Sequence, residues 1–129
     1  MKKYINVFII LLFVLLTGCN RYVSRYQATL FAHSNTLSKA SMSFYSFKGT
    51  KVFSLKTKEN NKKLFFNAKL EEGSACVYFD CEGSKTLLFT IYSNDEINDF
   101  IENIPKGTTY IIVETQNKCM NGEFNFYIE

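Results

Sequence analysis

The chain has 129 residues and a formal net charge of +3, and 47% of its residues are hydrophobic. This length suits one domain with a single core and excludes two domains of ordinary size. The longest basic run is Lys62-Lys63, so the charge gives no indication of nucleic-acid binding. All the aromatic residues are phenylalanine or tyrosine, which together with valine, isoleucine and threonine favour strands.

The first 18 residues have the three parts of a secretory signal peptide. A basic head, Lys2 and Lys3, precedes an apolar run over residues 7–16, and two small residues follow. The run is shorter than the roughly 18 apolar residues that a membrane-spanning helix needs. The sequence Leu16-Thr17-Gly18-Cys19 resembles the lipobox of bacterial lipoproteins, which implies cleavage before Cys19 and diacylglyceration of its thiol.

Two acyl chains hold a protein firmly on a membrane, whereas a single chain binds reversibly. The lipobox resemblance therefore implies a protein attached by a lipid on Cys19 to the extracytoplasmic face of a cell membrane. We expect residues 1–18 to be the signal peptide and residues 19–40 to be the lipidated N-terminus and tether. The second half of that tether is expected to contribute an edge strand, and residues 41–129 to form the domain.

Apolar and polar residues alternate strongly beyond Ser41, which is the pattern of half-buried strands. Strands are predicted over residues 50–57, 64–70, 75–79 and 87–91, with turns at 59–61, 71–73 and 81–85. Runs of this length with turns at this spacing are typical of a sandwich or a barrel. The prediction is an all-β fold, specifically a jelly-roll-like antiparallel β-sandwich.

Residues 93–104 carry a different signal. Ser93 and Glu96 have the spacing of a capping box, and Ile97, Phe100, Ile101 and Ile104 fall at helical spacing, which predicts a helix. Two further strands are predicted over residues 108–115 and 123–128, joined by a turn over 116–122.

The end of the chain resembles a known family. Residues 107–114, an Asn-Gly pair and the final Phe124-Asn125-Phe126-Tyr127-Ile128 are similar to the closing strands of the bacterial pre-peptidase C-terminal type domain and of small uncharacterised lipoproteins. The resemblance implies a β-sandwich over roughly residues 44–129 and an extended segment in place of the helix at 97–104. It supplies no catalytic residues, because such domains act as appended binding or solubility modules.

Three cysteines remain after Cys19. About 16 Å of strand separates Cys76 from Cys81, too far for a disulfide. Alternating chain direction places the turns 58–62, 81–85 and 116–121 at one end of the sandwich. A Cys81–Cys119 disulfide is therefore predicted, and the absence of any disulfide is the alternative. The spacing of the three thiols is unlike that of zinc ligands, so no metal site is predicted.

The sequence carries little that suggests catalysis. His33 is the only histidine, and it falls in the predicted tether. Nucleophile-elbow, metalloprotease and phosphate-binding motifs are missing from the sequence. We therefore expect a protein that is not an enzyme and needs no cofactor.

The remaining expectation is a non-catalytic binding or accessory role at the cell envelope. Tyr78, Tyr92 and Tyr127 lie opposite the predicted core positions and are the candidates for a contact surface. They would serve a module that binds cell-wall glycan, unless they cover a second core face. The alternative is a protein-directed inhibitor or immunity-type lipoprotein, with its contacts in the loop end formed by 81–85 and 116–122.

Overall fold

A computed structural model describes residues 22–129, so the signal peptide and Cys19 lie outside the described part of the chain. Eight strands make up this part: β1 (Arg25–Thr29), β2 (Ala32–Asn35), β3 (Lys39–Thr57), β4 (Lys62–Glu72), β5 (Ser74–Asp80), β6 (Thr86–Tyr92), β7 (Asp95–Ile104) and β8 (Gly107–Ile128). Residues 22–129 contain no helix long and apolar enough to cross a membrane.

Two long strands form the spine of the fold. β3 and β8 pair antiparallel along their whole length, from Lys39 opposite Tyr127 to Thr57 opposite Gly107. Their register shifts between Phe47 and Gly49, and Gly49 has a positive φ of 126°. A bulge of this kind bends and twists a strand pair. The two halves of the β3–β8 pair therefore enter different layers.

The first layer consists of β2, residues 39–44 of β3, residues 120–128 of β8, β4 and β7. The second layer consists of residues 49–57 of β3, residues 107–115 of β8, β5 and β6. β1 pairs with residues 46–50 of β3, at the bend. All neighbouring strands are antiparallel.

Aromatic rings fill the space between the layers. The Phe89 ring of β6 lies 5.0 Å from that of Phe66, 6.5 Å from that of Phe124 and 6.4 Å from that of Phe126. The fully buried side chains around them include Phe47, Phe53, Leu55, Leu64, Val77, Ile91, Ile111 and Val113. The antiparallel β-sandwich predicted from the sequence is confirmed.

The segment with helical spacing is a strand, as the family resemblance implied, so the helix prediction is wrong. Ile97 and Ile101 pack against the core from one face of β7, and Phe100 points to the other face, opposite Phe65. Asn103 has a positive φ of 63°, and the register shifts beside it. This irregularity turns Ile104 back into the core and produces a helix-like spacing in an extended chain.

The predicted turn over residues 116–122 is also wrong, because β8 continues through it. Asn121 has a positive φ of 50°, but Gly122 pairs with Phe44 on one side and Leu70 on the other. A Cβ atom on Gly122 would lie 2.3 Å from Phe44 Cζ. The glycine therefore makes room for a buried phenylalanine ring instead of turning the chain.

Strands begin earlier than the start of the domain that we placed at residue 41. Within the segment 19–40, β2 supplies the expected edge strand, and β1 also pairs with β3. Ahead of β1, Tyr22 packs on Tyr110 with ring centroids 5.4 Å apart, and its hydroxyl donates a hydrogen bond to the buried Asp80 carboxylate. The chain from Tyr22 onward is thus part of the folded domain.

Candidate functional site

The outer face of the first layer carries ordered rows of side chains. Cross-strand register places side chains that face the same way on adjacent strands beside one another. Phe100, Phe65 and Tyr127 form an aromatic row across β7, β4 and β8. The next row contains Asn98, Asn67 and Asn125 on the same three strands.

The aromatic row is a ladder of rings. Phe65 stacks on Tyr127 with centroids 4.8 Å apart and planes 8° from parallel, and Phe100 packs on Phe65 at 5.4 Å. Phe100 is 42% exposed, whereas Phe65 and Tyr127 are half-buried. Because Phe65 covers one face of the Tyr127 ring, the ladder holds that ring in a fixed orientation.

The amide row has hydrogen-bonding groups to spare. Asn125 Nδ2 donates to Asn67 Oδ1 at 2.9 Å and to Glu123 Oε1 at 3.3 Å. Within residues 22–129, the side-chain nitrogen of Asn67 and the side chain of Asn98 make no hydrogen bond. These amides can therefore donate to, and accept from, a ligand on this face.

A depression of about 430 Å³ lies beside the ladder and is walled by Tyr127. We call it the Tyr127 depression; its lining residues are Ser34, Thr36, Lys39, Ala40, Ser41, Asn67, Asn125, Phe126 and Tyr127. Its volume lies in the range of small-ligand sites. It combines one aromatic wall with hydroxyl, amide and ammonium groups.

A second depression of about 500 Å³ lies farther along the same face, between β4, β7 and β8. It is lined by four acidic side chains, Glu71, Asp95, Glu96 and Glu123, with one lysine, Lys69. Lys69 Nζ lies 3.6 Å from Glu96 Oε1. The outer face of the first layer is thus acidic at one end, while the Tyr127 depression contains no acidic side chain.

The structure does not bring the three predicted tyrosines together. Tyr127 lies in the first layer, in the wall of the depression. Tyr78 lies on β5 in the second layer, with Lys85 Nζ 4.4 Å from its ring centroid. Tyr92 is 62% exposed at the end of β6, also in the second layer. Sequence reasoning missed Phe65 and the asparagines, although Phe65, Asn67 and Lys69 alternate visibly on the outer face of β4.

The predicted Cys81–Cys119 disulfide is absent, and Cys76, Cys81 and Cys119 are all free. The prediction placed Cys119 in a turn, whereas it lies inside β8, opposite Phe47. Cys81 directly follows Asp80, which pairs with Tyr110. Tyr110 and Cys119 are nine residues apart on β8, about 30 Å in an extended strand, far beyond disulfide reach.

Cys119 is a core thiol. Its side chain is fully buried, and Sγ donates to the Ser74 carbonyl oxygen at 3.2 Å. Burial raises the pKa of the Cys119 thiol, and burial together with Glu82 and Asp80 raises the pKa of Cys81. Since the thiolate is the reactive form, Cys119 is an inert side chain at neutral pH.

Alkylation tests this assignment of the cysteines. In the native protein at pH 7, iodoacetamide is expected to modify Cys119 at least about tenfold more slowly than the half-exposed Cys76. In denaturant without reductant, Cys76, Cys81 and Cys119 should all react. Peptide mass spectrometry reads each site separately. If Cys81 and Cys119 both resist alkylation in denaturant until a reductant is added, the two residues form a disulfide and the assignment is wrong.

Other chemistry at the described residues is sparse. The His33 ring stacks on Phe31 at 5.1 Å on the exposed strand β2. No group of three or more histidine, cysteine, aspartate or glutamate side chains within residues 22–129 is arranged to hold a metal ion.

The fold and the face define an antiparallel β-sandwich with an aromatic and amide-lined depression on one layer. No protein-family model matches the sequence, and no curated protein sequence matches it. Among solved structures, the chain is similar to TmCBM61, determined in complex with beta-1,4-galactotriose, with a TM-score of 0.53 and 15% identity. That match covers 82% of this chain and 87% of TmCBM61.

A second similar structure is PliG of Aeromonas hydrophila, a periplasmic inhibitor of g-type lysozyme, with a TM-score of 0.50 and 11% identity. That match covers 72% of this chain and 88% of PliG. The pre-peptidase C-terminal domain of a Bacillus anthracis collagenase also matches, with a TM-score of 0.49, 14% identity, and coverage of 74% and 91%. At identities this low, the similarity to TmCBM61 and PliG shows a shared β-sandwich fold alone.

Proposed function

We propose that this protein is a lipoprotein, attached through Cys19 to the extracytoplasmic face of a cell membrane, that binds cell-wall glycan without catalysis. The observation that carries the glycan proposal is the Tyr127 depression, where a fixed tyrosine ring adjoins the amides of Asn67 and Asn125. The likeness in fold to TmCBM61 supports it.

The chemistry of the depression suits a sugar. A pyranose ring has an apolar face of C–H groups and a rim of hydroxyls, so it requires an apolar wall and nearby polar groups. The wall here is Tyr127, one ring face of which is packed on Phe65. The hydroxyls of Ser34 and Ser41 and the two amides line the remainder. Binding sites of this kind combine an apolar surface with a few oriented polar groups.

Co-sedimentation tests the glycan proposal. Full-length protein in neutral detergent is expected to pellet with purified, insoluble cell-wall glycan at both low and physiological salt. Soluble fragments of the same glycan should compete and return the protein to the supernatant. Protein that stays in the supernatant at both salt concentrations would overturn the proposal.

The lipid anchor has a separate test. The proposal places the acyl chains on the Cys19 thiol, so Cys19→Ser is expected to abolish processing and lipid attachment. Metabolic labelling with a radioactive fatty acid should mark the wild-type protein and leave the variant unmarked. Cys76→Ser is the matched control and should label like the wild type. Equal labelling of both variants and the wild type would contradict attachment at Cys19.

The second candidate function is a protein-directed inhibitor, which the likeness in fold to PliG supports. The loop end expected for it does not form, because residues 116–122 lie within β8, while 81–85 connect β5 and β6. A turbidity assay with a g-type lysozyme separates the two candidates. Under the glycan proposal the lysis rate should not change at equimolar protein, whereas strong inhibition would favour the inhibitor.

A further inference from the structure

The lysines on the outer face of the first layer differ in their partners. Lys63 Nζ lies 3.8 Å from Glu102 Oε1, and Lys69 Nζ lies 3.6 Å from Glu96 Oε1. Lys39 has no carboxylate within ion-pair distance among residues 22–129. Of these three lysines, only Lys39 has a charge that is not already matched by a carboxylate of the described chain.

Lys39 also occupies a defined place in the depression. It is the first residue of β3 and lies directly opposite Tyr127 in the β3–β8 register. The Thr36 amide donates to the Lys39 carbonyl oxygen at 2.8 Å, and the Lys39 amide donates to Thr36 Oγ1 at 3.2 Å. These two bonds fix the backbone of Lys39, which lines the depression together with Tyr127.

The two depressions on the outer face of the first layer differ in the acidic side chains that line them. None of the residues lining the Tyr127 depression is acidic, whereas the neighbouring depression has Glu71, Asp95, Glu96 and Glu123 in its lining. A ligand carrying a negative charge would therefore be attracted to the Tyr127 end of the face and repelled from the acidic end. An ammonium group near the open side-chain nitrogen of Asn67 is also a better partner for a carboxylate than a neutral group would be.

We propose that the sugar unit bound in the Tyr127 depression carries a carboxylate and that Lys39 is its partner. The inference rests on the proposed glycan-binding function and narrows the ligand to an acidic glycan. The carboxylate belongs either to a lactyl ether substituent, as on muramic acid that carries no peptide, or to a uronic acid. Both sources present a carboxylate to the Lys39 ammonium group, and two pairs of tetrasaccharides distinguish them.

Binding of two matched pairs of tetrasaccharides to full-length protein in neutral detergent tests the inference. The first pair is a peptide-free strand of alternating N-acetylglucosamine and N-acetylmuramic acid, and chitotetraose, which has the same backbone without the lactyl group. The second pair is a β-linked tetramer of glucuronic acid and cellotetraose. Isothermal titration calorimetry should show that, in one pair, the acidic member binds about five- to tenfold more tightly than the neutral member. The pair that shows this preference identifies the source of the carboxylate.

Two variants assign the preference to Lys39. Lys39→Gln is expected to bind the acidic and neutral members equally, and Lys39→Arg to retain the preference. Lys39 is exposed, so circular dichroism should be unchanged in both. Raising the salt concentration should weaken only the acidic member, because salt screens exposed charges.

The outcomes separate the two proposals. Equal binding of acidic and neutral members by the wild type would overturn the inference and leave the glycan proposal standing. An acidic preference that persists in Lys39→Gln would also overturn it, because another group would then hold the carboxylate. Failure of all four tetrasaccharides to bind would overturn the inference together with the glycan proposal on which it rests.

Discussion

Phe124→Ala is expected to lower the free energy of unfolding by about 3–5 kcal/mol, the usual cost of removing a buried phenylalanine side chain. Phe124 is fully buried on β8, with its ring centroid 6.2 Å from that of Phe44 in the first layer and 6.5 Å from that of Phe89 in the second layer. Alanine would leave a cavity that both layers border. Since the free energy of unfolding of a small domain is about 5–15 kcal/mol, this single change should remove a large part of the stability.

Urea unfolding followed by far-ultraviolet circular dichroism measures the effect, since the chain has no tryptophan for fluorescence. Phe100→Ala is the matched control, because it deletes the same atoms from a ring that is 42% exposed. Its expected cost is below about 1.5 kcal/mol, from the loss of its contacts with Phe65 and Lys63. Similar midpoints for the two variants would contradict the position of Phe124 between the layers.

Tyr127→Ala should weaken glycan binding by about 30-fold or more, since a central aromatic side chain in a binding site commonly contributes 2 kcal/mol or more. The substitution removes the wall of the depression and leaves its polar groups in place. The co-sedimentation assay with purified wall glycan, extended to a range of protein concentrations, gives the change in apparent Kd.

Two further variants define the cause of that loss. Tyr92→Ala removes an exposed tyrosine from the second layer and should bind glycan like the wild type. Phe65→Ala leaves Tyr127 present but removes the ring on which it stacks, so an intermediate loss is expected. If Tyr127→Ala and Tyr92→Ala bind equally well, the Tyr127 depression is not the glycan site.

The strands that alternate in sequence were predictable because alternation is local. Residues 64–70 and 75–79 fall within β4 and β5, since a strand buries every second residue of its own segment. The misassigned segments, β7 and the middle of β8, each contain a local irregularity. In β7 the register against β4 shifts beside Asn103, which has a positive φ, and in β8 the register against β3 shifts between Thr115 and Cys119. Each shift breaks the alternation in a way that only the partner strand specifies.

The candidate site was less predictable, because it depends on which strands become neighbours. Tyr127 was named from its own strand, but its significance comes from Phe65 and Asn67 on β4. Asn67 and Asn125 are 58 positions apart in the sequence and hydrogen-bond through the β4–β8 register. The cysteine pairing failed for the same reason, since it depended on a turn at 116–121 that the long β8 replaces.

The contact of Tyr22 with Tyr110 and Asp80 has a consequence for how an anchored protein would stand on a membrane. Tyr22 is three residues beyond Cys19, a span of at most about 10 Å, and its partners belong to the second layer. With lipid on Cys19, the second layer would lie close to the headgroups. The opposite face, with Tyr127 and Lys39, would then point outward, where glycan chains above the bilayer would reach it without the domain having to turn over.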